Sequence, residues 1–284
     1  MSTIDQFESI FRAAARESYA PRPFPMREVM LIADLRFKEE MSILAEHVKR
    51  FLGGVEPSPK ISTIQPEQSI TLDGLIELVE QMKPDLICTY RNLHTDHGKF
   101  PYTLGDHVEV LTQVTDIPIL LLPHPSETQL MERLAPPQRV LVMTDDFATH
   151  PNLIDAGIAL IDQTGSLILC HIENDDHFER YMRYIARTPQ LDTERTRTAL
   201  KDEILKEAEE FIEQSRINIE SFNPNISVYG EVQFGHLLKT YRALIDTHQI
   251  SLMVMNTKDE NQLAMQGLSY PLAVELRTTP LLML

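Results

Sequence analysis

The sequence predicts an α/β fold made of two tandem doubly wound parallel-sheet domains, the first lacking one βα unit. Three observations carry that prediction. Apolar runs without polar interruption alternate with helix-period segments along the chain, and strands apolar on both faces belong to parallel sheets covered by helices. Gly105 to Pro118 is echoed by Gly267 to Pro280, and each span is followed by an apolar run, Ile119–Leu122 and Leu281–Leu284. Val29–Asp34 is likewise echoed by Val140–Asp145, an apolar strand running into an aspartate. From that aspartate to the late glycine the chain runs 34 to 105 in one copy and 145 to 267 in the other. The excess of about fifty residues fits one βα unit plus a longer helix, because a βαβ unit takes about 30 or more residues. At 284 residues and 43% hydrophobic content the chain can bury one large core or two ordinary ones, and a usual domain size of about 100–150 residues favours two.

The elements follow in order. Ile4, Phe7, Ile10, Phe11 and Ala14 fall on one helical stripe, consistent with a short amphipathic helix that docks on a domain or a partner. Pro21, Pro23 and Pro25 break it, so residues 1–27 form an N-terminal helix and spacer. The first domain spans 28–122. It opens with the strand ending at Asp34, continues with Met41, Leu44, Val48 and Phe51 at helical spacing, and passes a candidate strand at Ile61–Ile64. A helix over about 71–82 and a strand over 85–89 lead to the first glycine-opened helix. Pro123, Pro125, Pro136 and Pro137 mark residues 123–138 as a linker.

The second domain spans 139–284. Pro151 suits the first turn of a helix bearing Leu153, Ile154 and Ile158, and Leu167–Ile172 is the next strand. Asp192 with Glu194 opens a long helix to about residue 221. Ile204, Ala208, Phe211, Ser215 and Ile219 form its apolar stripe, and Glu207, Glu209, Glu210 and Glu213 form a solvated face. Ile226–Tyr229, a helix carrying Leu237, Leu238, Tyr241, Leu244 and Ile245, and a strand over 250–255 complete five strands against the first domain's four.

Bulk chemistry narrows the function classes. A formal net charge of -16 disfavours nucleic acid and anionic membrane surfaces as partners. Cys88 and Cys170 sit inside apolar runs, as buried free thiols do in a reducing compartment. The first residues lack a basic start and a continuous apolar stretch, and no window nears the roughly 18 apolar residues of a membrane span. The expectation is a cytoplasmic protein.

In its strand-end aspartates, its glycine-opened late helices and Phe234-Gly235-His236 before a helix, the chain resembles the universal stress protein family. The resemblance covers residues 28–122 and 139–284 and implies the adenine nucleotide alpha hydrolase-like fold. It further implies ATP or another adenine nucleotide as ligand, a role in stress response, and pairing of final strands in a homodimer or an intramolecular pseudo-dimer. In the family's ATP-binding members the first-strand aspartate contacts the nucleotide and a G-x2-G-x9-G-[ST] loop cradles the phosphates. Glycines let backbone N–H groups approach phosphate oxygens, and a helix N-terminus adds partial positive charge.

Both copies depart from that pattern. In the second, Asn256 and Asp259 replace the first two glycines, and Gly267 is followed by Leu268, with Ser269 one place late. The implied nucleotide site is therefore Asp145, Asn256, Thr257, Lys258, Gly267 and Ser269. Lys258 would supply a point charge and Asn256 a left-handed backbone, against the negative charge of Asp146, Asp259 and Glu260. The blander reading makes Asp145 a cap for the next helix. In the first copy Asp34, Thr89 and Gly105 form a degenerate equivalent, with Asn92 at the other glycine position and Asp106 set to repel a phosphate.

Two other chemistries come up. His94 and His97, with His107 further on, have the residue types of a zinc site, although a loop does not present His-x2-His on one face as a helical i, i+4 pair would. A solvent-exposed polar loop is the favoured reading there. Cys170 and His171 alternate across a strand and face opposite ways, so they with Asp175, Asp176 and His177 make a weak cluster. No nucleophile elbow or P-loop occurs, so no enzyme activity is assigned. A scaffold that takes a protein partner through the acidic helix or residues 4–18 is the alternative to nucleotide binding.

Overall fold

A computed structural model describes residues 19–96, 98–100, 102–143, 150–188, 192–257 and 268–284. Its centre is one nine-stranded sheet in the order β2-β1-β3-β4-β9-β8-β5-β6-β7. The strands are β1 (Glu28–Ile32), β2 (Lys60–Ile64), β3 (Leu86–Tyr90), β4 (Ile119–Leu122), β5 (Arg139–Met143), β6 (Ser166–Asn174), β7 (Ser227–Gly235), β8 (Leu252–Met255) and β9 (Leu281–Met283). The sheet has a four-strand section, β2-β1-β3-β4, and a five-strand section, β7-β6-β5-β8-β9. All neighbours within each run parallel. The sections meet at the antiparallel pair β4·β9, with Leu120 opposite Leu282.

This is the predicted α/β architecture, and the four-strand section lacks the strand that β7 supplies in the other. β1, β3, β4, β5, β8 and β9 carry Val, Ile, Leu and Met buried on both faces, which requires helices above and below. Beyond its exposed first residue, Glu28, β1 is fully buried. The edge strands β2 and β7 alternate or stay half-exposed, as strands with one free edge do.

The helices are α1 (Lys38–Phe51), α2 (Leu72–Met82), α3 (Asp106–Val114), α4 (Thr128–Glu132), α5 (Pro151–Leu160), α6 (Asp175–Ile185), α7 (Thr193–Phe222), α8 (Leu237–His248) and α9 (Ser269–Glu275). α1 buries Met41, Leu44, Val48 and Phe51, the stripe its sequence shows. Thr71 caps α2 by accepting the Gly74 N–H, and Asp192 caps α7 by accepting the Arg195 N–H. α7 buries only Ile212, Ser215 and Ile219. Its earlier stripe residues Ile204, Ala208 and Phe211 are half-buried, so the first half of this long helix packs loosely.

Three details differ from the sequence reading. β1 stops at Ile32, so Asp34 lies two residues past the strand. Residues 123–138 contain α4, with Met131 and Leu134 buried and the carbonyls of Met131, Glu132 and Leu134 bonded by Arg50. That stretch is docked on α1, because one guanidinium bonds three carbonyls at the end of a short helix. The N-terminal segment also crosses to the five-strand section. Buried Tyr19 donates to Asp155 of α5 at 2.6 Å, the Arg22 N–H donates to the same oxygen, and Asn218 of α7 donates to the Tyr19 carbonyl. The predicted helix over residues 4–18 lies outside the described residues. Among the described residues no helix is long and apolar enough to cross a membrane.

Candidate functional site

In an open parallel sheet, ligands bind outside the carboxyl ends of the strands where the strand order reverses. The order here gives two such places, β1/β3 in the four-strand section and β5/β8 in the five-strand section.

The β1/β3 crevice is organised by Asp34. Register aligns Leu31 with Cys88, which brings the residues just past β1 beside Tyr90 at the end of β3. The Tyr90 hydroxyl accepts the Asp34 N–H at 3.0 Å and donates to Asp34 Oδ1. Asp34 Oδ2 accepts the His94 N–H at 2.9 Å. Burial, reinforced by Asp34, pushes the Tyr90 phenol well above its ordinary range, so Tyr90 holds its proton as a donor.

The loop after β3 closes around Asn92. Its N–H donates to the Leu104 carbonyl at 2.7 Å, its amide donates to the Phe100 carbonyl at 3.0 Å, and its Oδ1 accepts the Thr103 hydroxyl at 3.0 Å. Asn92 and His94 both have left-handed backbones, φ 60 and 59, a conformation that asparagine tolerates better than most residues. Gly105 has φ 85, and a Cβ there would stand 2.8 Å from the Asn92 Cα. Glycine at 105 is thus required by backbone meeting backbone.

His94 Nε2 is 3.0 Å from the Ser69 hydroxyl, and its ring lies 5.0 Å from that of His107. Burial lowers the His94 pKa, Asp34 opposes the shift and His107 adds to it. His107 is buried in the first turn of α3, with no hydrogen-bond partner for either ring nitrogen among the described residues. Beside these groups is a cleft of about 610 Å³ lined by Asp34, Arg36, Pro66, Glu67, Ile70, His94 and Thr95. Thr89 lies inside β3, fully buried, and does not line this cleft.

At the β5/β8 crevice, Asp145, Lys258 and Gly267 lie outside the described residues, as does His97. The structure brings Asn256 and Ser269 together, the Ser269 hydroxyl donating to the Asn256 carbonyl at 2.6 Å. Thr257 turns to the end of the chain, its N–H and hydroxyl donating to the Leu284 carbonyl at 2.8 and 2.7 Å. The cap position of α5 is His150.

Among the described residues no group of three or more His, Cys, Asp or Glu could hold a metal. Cys170 is fully buried while His171 is half-buried and faces Glu173, as strand alternation requires. A second, more open hollow of about 400 Å³ lies between the starts of α6 and α8, lined by residues that include Asn174, Asp176, His236 and Lys239. Sequence reasoning missed Tyr90, Arg36 and Ile70. An aromatic at the end of a strand aligned with the one before Asp34 was the available signal for the first, and nothing marked the other two.

No protein-family model matches the chain, and no curated protein matches it by sequence. Solved structures do match by fold. A universal stress protein from Archaeoglobus fulgidus DSM 4304 is 14% identical with a TM-score of 0.52, over 92% of this chain and 97% of that one. A functionally unknown protein from Pseudomonas aeruginosa PAO1 is 12% identical with a TM-score of 0.46, over 91% and 82%. The first likeness shows that this chain has the fold of a universal stress protein, and the resemblance seen in the sequence holds at that level.

Proposed function

We propose that the protein is a regulatory protein of the universal stress type that works as an intramolecular pseudo-dimer, with an adenine nucleotide as ligand of the β5/β8 crevice. The supporting observation is the strand order: β7-β6-β5-β8-β9 keeps the full set of strands around one switch point. The four-strand section lacks a counterpart of β7, and at β1/β3 both oxygens of Asp34 accept hydrogen bonds from the protein itself. The groups assigned to the nucleotide are Asp145 for the ribose and Lys258 and the start of α9 for the phosphates. Asn256 is half-buried just past the end of β8. The role is binding and response, and neither cysteine is an activated nucleophile: burial pushes the Cys88 and Cys170 thiols up, the latter to about 12.

Millimolar ATP, ADP or AMP should raise the melting temperature of the full chain, because a ligand at 100 times its Kd adds about 2.7 kcal/mol. No shift with any of the three rules the nucleotide out. One observation favours a second reading, a scaffold that acts through a protein partner. The Thr257 and Ser269 hydroxyls both donate to backbone carbonyls and so are not offered to a phosphate. That reading calls for capture of a partner on the exposed first half of α7, lost when Glu203, Glu207 and Glu210 are changed together to Gln.

A further inference from the structure

The loop that closes the β1/β3 crevice does not end its contacts there. Arg91, next in sequence to Tyr90, is 2% exposed and reaches across to the five-strand section. Its Nη2 donates to the carbonyls of Ala273 and Leu276 at 2.9 and 3.2 Å, at the carboxyl end of α9. Cationic groups are favoured at helix carboxyl ends, yet Nε and Nη1 have no hydrogen-bond partner among the described residues. Burial, with Arg277 adding to it, pulls the Arg91 pKa down to about 10. A buried guanidinium without a carboxylate is costly relative to a packed apolar side chain, so its place here is not accounted for by stability. Two more contacts join the same parts. Arg277 stacks over the Tyr102 ring at 5.0 Å, and the Tyr270 hydroxyl of α9 donates to Glu109 of α3 at 3.0 Å.

The other end of α9 belongs to the β5/β8 crevice, where Ser269 holds the Asn256 carbonyl. α9 is seven residues long with Leu272 and Ala273 fully buried, so one short packed helix joins the two ends. We propose that the 91–105 loop is a built-in regulator of the β5/β8 crevice: the state of Asp34 sets the loop, Arg91 transmits it, and α9 carries it to Asn256. The β1/β3 crevice is then a control point in its own right, whatever occupies the other. This goes beyond the nucleotide reading and stands if that reading fails.

Hydrogen exchange followed by mass spectrometry on the full chain tests it without any ligand. In Asp34→Asn, exchange in the 91–105 loop and in residues 268–276 should both rise about tenfold or more, with β6 and α6 unchanged. In Arg91→Met, which keeps an apolar side chain of similar length, the further change Asp34→Asn should still loosen the loop and no longer affect residues 268–276. Tyr90→Phe, which removes the hydroxyl from Asp34, should behave as Asp34→Asn. The proposal is overturned if Asp34→Asn leaves the loop unchanged, if the loop loosens and α9 does not, or if transmission persists in Arg91→Met.

Discussion

The crevices at β1/β3 and β5/β8 occupy equivalent places in the strand order and differ in what their polar groups face. At β1/β3, Asp34 accepts from Tyr90 and His94, Asn92 fills the loop, and Gly105 lets two backbone segments touch. At β5/β8 the described polar groups serve the end of the chain: Thr257 holds Leu284, and the Leu284 N–H returns to the Met255 carbonyl at 3.1 Å. The difference shows that equivalent loops can be held in two ways. At β1/β3 the loop's own side chains fill the crevice and support one another. At β5/β8, the loop next to the last strand is anchored at its two described ends.

If the β1/β3 loop is self-supporting, its parts should be expensive to remove. The largest effect is expected for Gly105→Val, where φ 85 and a 2.8 Å approach to Asn92 combine. A strained backbone of this kind costs about 3 kcal/mol, read as a lower urea midpoint, and a loss below about 1 kcal/mol would break the comparison. Asp34→Ala strands the His94 N–H and the Tyr90 hydroxyl and should cost about 2 kcal/mol by the same measurement. On the other section, Tyr19→Phe leaves Asp155 with only the Arg22 N–H among these two donors, for a loss of about 1 kcal/mol.

The smallest effect is a pH dependence. Because burial lowers the His94 pKa in the folded state, the unfolded chain takes the proton first. The neutral form's contribution is complete above the unfolded value of about 6.5 and is lost as pH falls below it. Urea midpoints between pH 7.5 and 5 should therefore drop less in His94→Gln than in the parent, and equal slopes would sever the loop from this titration.

Much of the architecture was legible in the sequence because it is written in periodicity. Leu120 and Leu282, opposite one another in the sheet, sit in the two apolar runs whose spacing from glycine matches. Asp192 before a stripe of three- and four-residue steps announces α7. What was not legible depends on register and on single hydrogen bonds. Asp34 and Tyr90 are 56 residues apart, and only the alignment of β1 with β3 makes them neighbours. A five-residue helix such as α4 is too short to show a period. Arg91 reads as a polar residue leaving a strand, and its burial against α9 follows from the juncture of β4 with β9, which no local pattern encodes.

The proposed function gives a nucleotide to one crevice, while the other is filled by its own side chains. Calorimetric titration of the full chain with ATP measures this directly, because it counts sites. The account predicts a stoichiometry of about one nucleotide per chain, unchanged in Asp34→Asn and abolished in Asp145→Asn with Lys258→Ala. Two equivalents per chain, or none, or a single equivalent lost in Asp34→Asn and kept in the Asp145 and Lys258 variant, would contradict it.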